Sequence, residues 1–595
     1  MDAAQKLINN LVILSKILEY LSLEEQVKCL EISKSFRHAI TTVLWKKHYR
    51  ELNLYKTPYI SIITKKSQDS GEDLVTLQEI QELKTSLKYD KCNVFLRSLA
   101  PHVHKLSVFS EYFIFRHNMG VAFRNIQKFI NLRQLNFTQM VVTSDHMELI
   151  AAKCRRLRRL EFIECFSETW NPLLPGYNLD IATLGQLRYL SDLTLQCQLM
   201  ENPPTLECNI VHELLSKLRL KRLVMRNLNI VDFGSDTVQH IMHGGCVEVL
   251  HVGNISLEFW PHFKHHLKEF HNLSDLFINV VDCNTLLSSP DLELLANHCP
   301  KLLKLTLENC DLEVADFGLL KSVQHLALNS CGGFRAANLK QVLSRLPLVS
   351  LSLVNTRVLG NIMGISVGAQ LETIKVDTIH FHPITEAFQR CQNEMPAVHT
   401  IKWLNGDISD SWIMDKCPNL KILHIPNPYL MRHGLLKMTS LQELSFSSCK
   451  GFSWCFLVLL IKNLKLQRLN IFTTEGIDDV KEKPENACDV RTTVRRVLLP
   501  YRIYKMAQDF WMDLLVLNRK LKLSFYGEHE DLLCTNFLRG LLRFLHVRDN
   551  LKCLKVCGFV VDIRDLQENF DKTMHKLNSK TSHYRAKNSK FTIEI

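Results

Sequence analysis

The chain has 595 residues, of which 46% are hydrophobic and 23% charged, and its formal net charge is +12. These values are typical of a folded protein that is long enough for several domains or one extended solenoid. A positive excess spread over the whole chain favours an acidic partner only weakly, because nucleic-acid-binding proteins usually concentrate their basic residues.

The first predicted elements are two amphipathic helices within residues 11–50. Ser22 and Glu25 have the spacing of a capping box, which predicts that the second helix begins at Leu23. Trp45 follows this second helix in the segment VLWKKHY. One face of the first helix carries apolar residues at helical spacing, namely Leu14, Ile17, Leu18 and Leu21.

The region of residues 56–100 is less regular. Residues 65–73 are polar and contain Gly and Ser, which favours a linker, whereas the leucines of residues 74–88 have helical spacing. We therefore interpret residues 56–100 as a linker and a capping helix.

From residue 101 onwards one frame, L-x-x-L-x-L, dominates the chain. It is clearest in NHCPKLLKLTLENC, residues 297–310, where Leu302, Leu305 and Leu307 are its apolar positions. It recurs about every 26 residues, which is the period of leucine-rich repeats. The frame starts are Val103, Leu132, Leu157, Leu190, Leu220, Val247, Leu273, Leu302, Val323, Leu348, Leu371, Val398, Leu420, Leu441 and Leu466.

The frame resembles the leucine-rich repeat, in which each unit contributes one strand and one helix or turn. We therefore predict an α/β leucine-rich-repeat solenoid over residues 101–595, with parallel strands on the concave face and helices on the convex face. Helical spacing at 289–299 and 317–324 predicts two of these helices. Near its end we expect an exposed loop at 473–493, a helical region at 494–520, and strands at 521–527, 551–559 and 591–595.

Cysteine falls eight residues after four of the frame starts, and Cys299-Pro300 precedes the clearest frame. This pattern resembles the cysteine-containing subclass of repeat found in F-box/leucine-rich-repeat proteins. The four positions are Cys165, Cys310, Cys331 and Cys449.

The N-terminal helices, residues 1–55, resemble an F-box in the segments KILEYLSLEEQVKCLEISKSFRHAI and VLWKKHY. The opening Leu-Pro pair of that family aligns with Asn9-Asn10, and its acidic residue with Val12. In the family this segment helps to bind the Skp-type adaptor of a cullin–RING ubiquitin ligase. The resemblance implies that adaptor contacts or the F-box core are formed by Leu14, Ile17, Leu18, Leu21, Leu23 and Trp45.

The two resemblances together imply the substrate-recognition subunit of an SCF-type E3 ubiquitin ligase. Such a chain carries out no bond chemistry and needs no metal or other cofactor; it holds a target protein on the concave face so that other subunits can ubiquitinate it for proteasomal degradation. Alternating strand positions place polar side chains on that face. The candidate substrate-binding residues are Arg159, Glu161, Arg222, Arg226, Phe277, Lys304, Glu308, Lys375 and Lys402.

No catalytic constellation competes with this interpretation. Two Asp-Phe-Gly tripeptides occur without the other protein-kinase motifs. The sequence has no H-E-x-x-H motif and no C-x-x-C pair, so a zinc site is not expected.

The cellular location follows from the same sequence. The segment MDAAQKLINNLVILSK is a poor signal peptide, and no run of 18 apolar residues predicts a membrane span. We therefore expect reduced cysteines and a cytoplasmic or nuclear protein without membrane contact.

Two alternatives remain open. The chain could be a repeat scaffold that binds a protein, or less plausibly RNA, without meeting a ligase, its N-terminal helices being only a cap. It could also be a cysteine-dependent enzyme, which would require one thiol of unusual reactivity.

Overall fold

The structure is a computed structural model of the whole chain. It describes residues 10–53, 100–109, 126–138, 142–165, 181–197, 203–231, 243–255, 260–280, 287–360, 366–377, 382–405, 410–427, 431–447, 454–472, 490–527, 553–556, 559–562, 571 and 591–594, apart from residues 22, 49, 143 and 519. The chain forms two compact units. Unit 1 contains residues 1–285 and 293–309, and unit 2 contains residues 286–292 and 310–595.

Unit 1 is built on a parallel sheet in which each strand pairs with the strand of the next repeat. The pairing order is β1-β2-β3-β4-β5-β7-β9-β10-β11, and short β6 pairs with β8, which also pairs with β9. The strands are β1 Glu51–Asn53, β2 Lys105–Phe109, β3 Gln134–Thr138, β4 Arg159–Cys165, β5 Asp192–Cys197, β6 Thr205–Glu207, β7 Arg222–Arg226, β8 Asn229–Val231, β9 Val249–Ile255, β10 Asp275–Val280 and β11 Lys304–Glu308.

Unit 2 repeats this arrangement. Strands β12 to β20 pair in parallel in chain order, and the sheet is then extended by antiparallel pairing of β20 with β23, β23 with β21 and β21 with β22. The strands are β12 His325–Asn329, β13 Ser350–Val354, β14 Thr373–Asp377, β15 Thr400–Trp403, β16 Ile422–Ile425, β17 Glu443–Phe446, β18 Arg468–Ile471, β19 Arg496–Pro500, β20 Lys522–Gly527, β21 Cys553–Val556, β22 Phe559–Asp562 and β23 Phe591–Glu594.

Helices and 3-10 turns connect the strands. The α-helices are α1 Leu11–Leu18, α2 Leu23–Cys29, α3 Lys34–His38, α4 Trp45–His48, α5 Ser144–Lys153, α6 Cys208–Lys217, α7 Trp260–His266, α8 Ser289–His298, α9 Ala336–Arg345, α10 His382–Gln389, α11 Asp410–Lys416, α12 Arg432–Leu435, α13 Trp454–Asn463, α14 Tyr501–Met506 and α15 Gln508–Leu517. A π-helix, Ala39–Leu44, joins α3 to α4, and 3-10 turns span Ala100–His102, Ile126–Lys128, Ala182–Gln186, Gly244–Cys246, Leu267–Glu269 and Phe317–Leu319.

The predicted frame accounts for the strands. All fifteen frame starts are buried, with at most 2% of each residue exposed, and a strand begins two residues after each of them. In β11, Leu305 and Leu307 are buried, whereas Lys304 is exposed and Thr306 and Glu308 are partly exposed. The predicted solenoid-like α/β arrangement of parallel strands and helices is therefore confirmed.

The turn after the strand also has a constant position in the repeat. A residue with positive φ lies seven residues after six of the frame starts, and four of these six residues are asparagine, which tolerates this conformation better than most residues. In three of these six repeats the next residue is the repeat cysteine, and the side chains of Cys165, Cys310 and Cys331 are buried there. The Cys165 thiol donates to the carbonyl oxygen of Phe137 in the preceding repeat at 3.5 Å.

Helix α9 shows how the second layer is attached. Leu339, Val342 and Leu343 have helical spacing and are buried, which places one apolar face of the helix in the core. Asn338 is also buried, and its side-chain amide donates to the carbonyl oxygens of Leu312 and Ala315 at 3.0 and 3.1 Å. These two bonds hold the helix to the preceding turn.

Two sequence predictions, of helix at 494–520 and at 317–324, were wrong at least in part. Residues 496–500 form strand β19 rather than helix, and helices begin only at Tyr501. Val494, Val497 and Leu499 repeat the leucine frame and are buried, so a further repeat was overlooked. Residues 317–324 contain only the 3-10 turn Phe317–Leu319, because strand β12 follows at His325.

Some other predictions agree with the structure, and the rest concern residues that the structure does not describe. Strands are present within 521–527, 551–559 and 591–595, as expected. Four predictions concern residues outside the described ranges. These are the helix at 74–88, the part of the loop at 473–489, the capping residue Ser22 and the repeat cysteine Cys449. Within the described residues, no helix is long and apolar enough to cross a membrane. The predicted domain limits at residues 55 and 100 stay predictions.

Candidate functional site

The N-terminal helices form a small packed block that leads directly into the sheet. The side chain of Asn10 caps α1 by accepting from the backbone amides of Val12 and Ile13 at 3.2 and 3.3 Å. Asparagine is a preferred residue at this position. Strand β1 follows α4 almost immediately and pairs with β2, so the block is joined to the repeats through the sheet itself.

A buried glutamine ties the helices together. The Gln26 side-chain amide donates to the carbonyl oxygens of Leu18 and Leu21, at 3.2 and 2.9 Å, and thereby satisfies the end of α1. Its carbonyl oxygen accepts from the indole N–H of Trp45 at 2.9 Å. Because each polar atom has a partner, this network stabilises one arrangement of the helices. The sequence patterns did not single out Gln26.

The predicted adaptor residues divide into buried and exposed ones. Leu14, Leu18 and Trp45 are at most 2% exposed and form the core of the block. Leu21 is partly exposed, and Ile17 is 46% exposed. The side chain of Leu23 lies outside the described part of the structure. A partner could therefore contact Ile17 directly, whereas the three buried residues act through the shape of the block.

Further apolar side chains lie near Ile17 on α1 and just after it. Val12, Ile13 and Tyr20 are 64%, 43% and 92% exposed. Ile13 and Ile17 are four residues apart, so they share a side of α1, and Tyr20 lies two residues after the end of the helix. We call Val12, Ile13, Ile17 and Tyr20 the apolar face of α1. An exposed apolar patch of this kind is typical of a protein contact.

The second candidate site lies on the strand face of unit 1. It brings together side chains from β7, β9, β10 and β11. We call Arg226, His251, Asp275, Phe277, Lys304 and Glu308 the Arg226 cluster. Four of these residues were predicted as substrate-binding residues; His251 and Asp275 were not.

The side chain of Arg226 in β7 extends past β9 to β10. Its guanidinium lies over the ring of Phe277 in β10, 4.3 Å from the ring centroid. Gly253 follows Val252, which pairs with Met225 of β7. A Cβ at Gly253 would lie 3.2 Å from Arg226 Cα and 3.0 Å from the amide nitrogen of Asn227. The close approach of the two backbones therefore favours glycine here.

His251 lies between the two charges of the cluster. The Arg226 guanidinium donates to His251 Nδ1 at 3.1 Å, and because arginine can only donate, the hydrogen of the neutral ring is on Nε2. Nε2 lies 3.3 Å from Asp275 Oδ1, an ion-pair distance without hydrogen-bond geometry. Asp275 Oδ2 accepts from Lys304 Nζ at 3.0 Å.

The electrostatics favour a neutral histidine between an arginine and a carboxylate. Burial lowers the pKa of His251, and Arg226 adds to this, while Asp275 opposes it. Burial would raise the pKa of Asp275, but His251 and Lys304 outweigh burial and lower it. Burial also raises the pKa of Glu308, partly offset by Arg226.

This arrangement presents a fixed cation rather than an exposed aromatic ring. Phe277 is only 6% exposed beneath Arg226, so a partner would meet the guanidinium first. Within the described residues, Arg226 Nε is buried without a hydrogen-bond partner. A buried donor of this kind costs about 1–3 kcal/mol. In general, a guanidinium is a donor suited to carboxylate, phosphate and carbonyl oxygens.

The remaining predicted substrate residues lie nearby or in unit 2. Arg159 and Arg222 flank Asp192 in register, and Arg159 forms an ion pair with Asp192 at 3.3 Å. Glu161 lies one strand from Thr194 and is partly exposed. Lys375 and Lys402 are register partners in β14 and β15 of unit 2.

A cysteine–histidine contact behind the sheet was not predicted. Cys208 Sγ lies 3.3 Å from His212 Nε2, and the rings of His212 and His266 are 4.1 Å apart at their centroids. These residues line a mostly apolar cavity between α6, α7 and the strands. Among the described residues, no group of three or more acidic, Cys or His side chains has an arrangement that could hold a metal ion.

Three of the other cysteines are poor nucleophiles. Burial raises the pKa of the Cys154, Cys299 and Cys417 thiols to about 12. Their thiolate fraction at neutral pH is therefore very small. This chemistry gives no support to a cysteine-dependent enzyme that uses any of these three thiols.

No protein-family model and no curated protein matches this chain. Among solved structures, the chain is similar to the crystal structure of a complex of Rad7 and Elc1 from yeast. The sequence identity is 11% and the TM-score 0.32, and the match covers 69% of this chain and 96% of that one. A likeness this distant says nothing about the activity of this chain, and the fold rests on the strands and helices described above.

Proposed function

We propose that this chain is the substrate-recognition subunit of an SCF-type E3 ubiquitin ligase. In this proposal the N-terminal helices bind a Skp-type adaptor, and the outward strand face binds a target protein. The chain itself performs no bond chemistry. It holds the target near the ubiquitin-conjugating enzyme and thereby raises the effective concentration of the target lysine.

The observation that carries the proposal is the apolar face of α1 on a block that resembles an F-box. If the block were only a polar end cap for the solenoid, its outer residues would be expected to be polar. Val12 and Tyr20 instead expose 64% and 92% of their surface. An adaptor that covered these side chains would remove apolar surface from water, which is the main driving force of such contacts.

The Arg226 cluster supports the target-binding half of the proposal. Interface residues that contribute most of the binding energy are often arginines and aromatic residues held in a fixed position. Arg226 is held by Phe277 on one side and by His251 on another. It is therefore ordered before a partner arrives, which reduces the entropic cost of binding.

The adaptor contact can be tested with full-length protein. We expect the purified Skp-type adaptor to co-purify with the wild-type chain and to be lost with the double substitution Ile17→Asp and Tyr20→Ser. The control is Val314→Asp, since Val314 is 51% exposed but lies in unit 2. Both variants should keep the wild-type circular dichroism spectrum, because the substituted side chains are exposed.

Equal adaptor retention by the wild type and the double variant would refute the contact through α1. Failure of the wild type to bind any Skp-type adaptor would instead favour the scaffold that never meets a ligase. One observation favours that second candidate: Asn10, where the F-box family has part of its Leu-Pro pair, serves here as a helix cap.

A further inference from the structure

The first repeats of unit 1 carry exposed arginines at the edge where the chain enters the sheet. Backbone bonds of 2.7–2.8 Å link one residue per repeat here, from His104 through Arg133, Arg158 and Ser191 to Lys221. Arg133, Arg158 and Lys221 are exposed. Four of these five residues are arginine, lysine or histidine.

A second set of arginines precedes the same buried leucines. Arg156 lies just before Leu157, and Arg219 just before Leu220. Arg188 and the 67% exposed Tyr189 precede Leu190. We call Arg133, Arg156, Arg158, Arg188, Arg219 and Lys221 the basic strip, and all six are exposed.

The strip is only partly neutralised by carboxylates of the chain itself. Lys221 forms an ion pair with Glu248 at 2.9 Å. In the described part of the chain, Arg133, Arg158, Arg188 and Arg219 form no ion pair. The positive field also acts on His104, whose pKa is lowered by burial and further by Arg133 and Arg50. Four cations without a carboxylate partner within one sheet edge leave a site for an external anion.

The dimensions fit an extended peptide. Neighbouring strands are about 4.8 Å apart, so the three spacings from the repeat of Arg133 to that of Lys221 span about 15 Å. An extended chain of about five residues covers the same length. Carboxylates at alternate residues of such a chain are about 6.6 Å apart, so about three of them can lie along the four repeats.

We propose that the basic strip binds an acidic, extended segment of a protein partner. The proposal rests on the proposed function in one respect: such a segment would belong to the target protein. Carboxylates rather than a nucleic-acid backbone are favoured because Asp192 and Glu248 already pair with Arg159 and Lys221 along this edge. Among the described residues from Arg133 to Lys221, Tyr189 is the one exposed aromatic residue, whereas a nucleic-acid groove would be expected to interleave several.

The experiment measures fluorescence anisotropy of a labelled octapeptide of alternating Glu and Ser with the full-length chain at 50 mM salt. We expect the triple substitution Arg156→Glu, Arg158→Glu and Lys221→Glu to weaken binding by about tenfold, since exposed pairs contribute modestly but add up. The control is Lys321→Glu, Lys340→Glu and Lys437→Glu. It makes the same charge change at exposed sites of unit 2 and should alter binding less than twofold.

Three results would overturn the proposal. They are no measurable binding to the wild type, equal weakening by both triple variants, and tighter binding of a uridine oligonucleotide than of the peptide at matched salt. The adaptor pull-down is run on the same proteins. Loss of peptide binding with retained adaptor binding separates the strip from the ligase proposal, and absent adaptor binding with intact peptide binding refutes the ligase proposal alone.

Discussion

His251 in unit 1 and His424 in unit 2 occupy the same position of their repeats, four residues after the frame starts Val247 and Leu420. Arg226 and Asp275 approach the two ring nitrogens of His251. The ring of His424 instead stacks on Phe472, with centroids 5.4 Å apart, beside its register partner Lys402. The repeat thus determines where a side chain stands, whereas the adjacent strands determine its chemistry.

A glycine also distinguishes the repeat of His251. Gly253 in β9 lets the backbones of β7 and β9 approach closely beside Arg226, whose side chain lies over Phe277 two strands away. In the described part of the chain, His424 Nε2 has no hydrogen-bond partner. Burial lowers the pKa of His424, and Lys402 lowers it further as a nearby charge. The Arg226 cluster is therefore an ordered network, whereas His424 has an aromatic contact and the nearby charges of Lys402 and Asp377.

The largest effect on stability is expected from adding a side chain at Gly253 in β9. Gly253→Val places side-chain atoms against the backbone of Arg226 and Asn227, which cannot move without disturbing β7. We predict a loss of about 3 kcal/mol in the free energy of unfolding of unit 1, measured by urea denaturation and hydrogen exchange of residues 222–226. Gly332→Val is the control, since a Cβ at Gly332 has no atom within 4 Å. Similar losses in both variants would contradict the close approach.

A smaller effect is expected from removing the arginine. Arg226→Ala uncovers Phe277 and leaves His251 Nδ1 without its donor. We predict a destabilisation of about 2 kcal/mol, from the lost cation–π contact and the unpaired buried acceptor. Lys402→Ala, at the exposed cation beside His424, should cost less than about 0.5 kcal/mol. Equal costs in urea denaturation would show that the Arg226 cluster is no more ordered than its counterpart.

The pH dependence gives the next smaller effect. The pKa of His251 and that of His424 are both lowered, in each case first by burial. Each histidine therefore binds fewer protons in the folded state than in the unfolded state. Stability is complete above the unfolded pKa near 6.5 and falls as the pH decreases from there towards the folded pKa, by at most about 1.4 kcal/mol per pH unit for each histidine.

Two variants show how much each histidine contributes to this pH dependence of stability. We expect His251→Gln and His424→Phe each to reduce the loss of stability between pH 7.5 and 5.5 in urea denaturation. The raised pKa of Glu308 acts in the opposite direction and is common to the wild type and both variants. The lowered pKa of Asp275 acts below its usual 3.8 and so outside this range. An unchanged slope in the His251→Gln protein would refute a neutral, buried His251.

The sequence predicted the repeat almost completely. The buried leucine frame is a local pattern, and each frame start is followed by a strand at a constant distance. Strand β19 was missed although Val494, Val497 and Leu499 fit the frame. The short apolar run at 497–499 is followed by Pro500 and two helices. A run of this length is compatible with a helix as readily as with a strand.

The candidate sites were predictable only in part. Alternation placed Arg226, Phe277, Lys304 and Glu308 on one face, but it could not show that Phe277 is covered by Arg226. That contact depends on the register of three strands. Similarly, helical spacing identified Leu14 and Ile17 together, whereas only packing against the other helices separates buried Leu14 from exposed Ile17.

The most direct test of the receptor proposal asks whether one chain connects an adaptor to a target. Ubiquitinated proteins would be quantified after proteasome inhibition in cells that express the wild type, Arg226→Glu, or Ile17→Asp with Tyr20→Ser. We predict that a set of ubiquitinated targets depends on the wild type and is lost in both variants, while the adaptor remains bound to Arg226→Glu alone. Unchanged target ubiquitination in both variants would contradict the proposal.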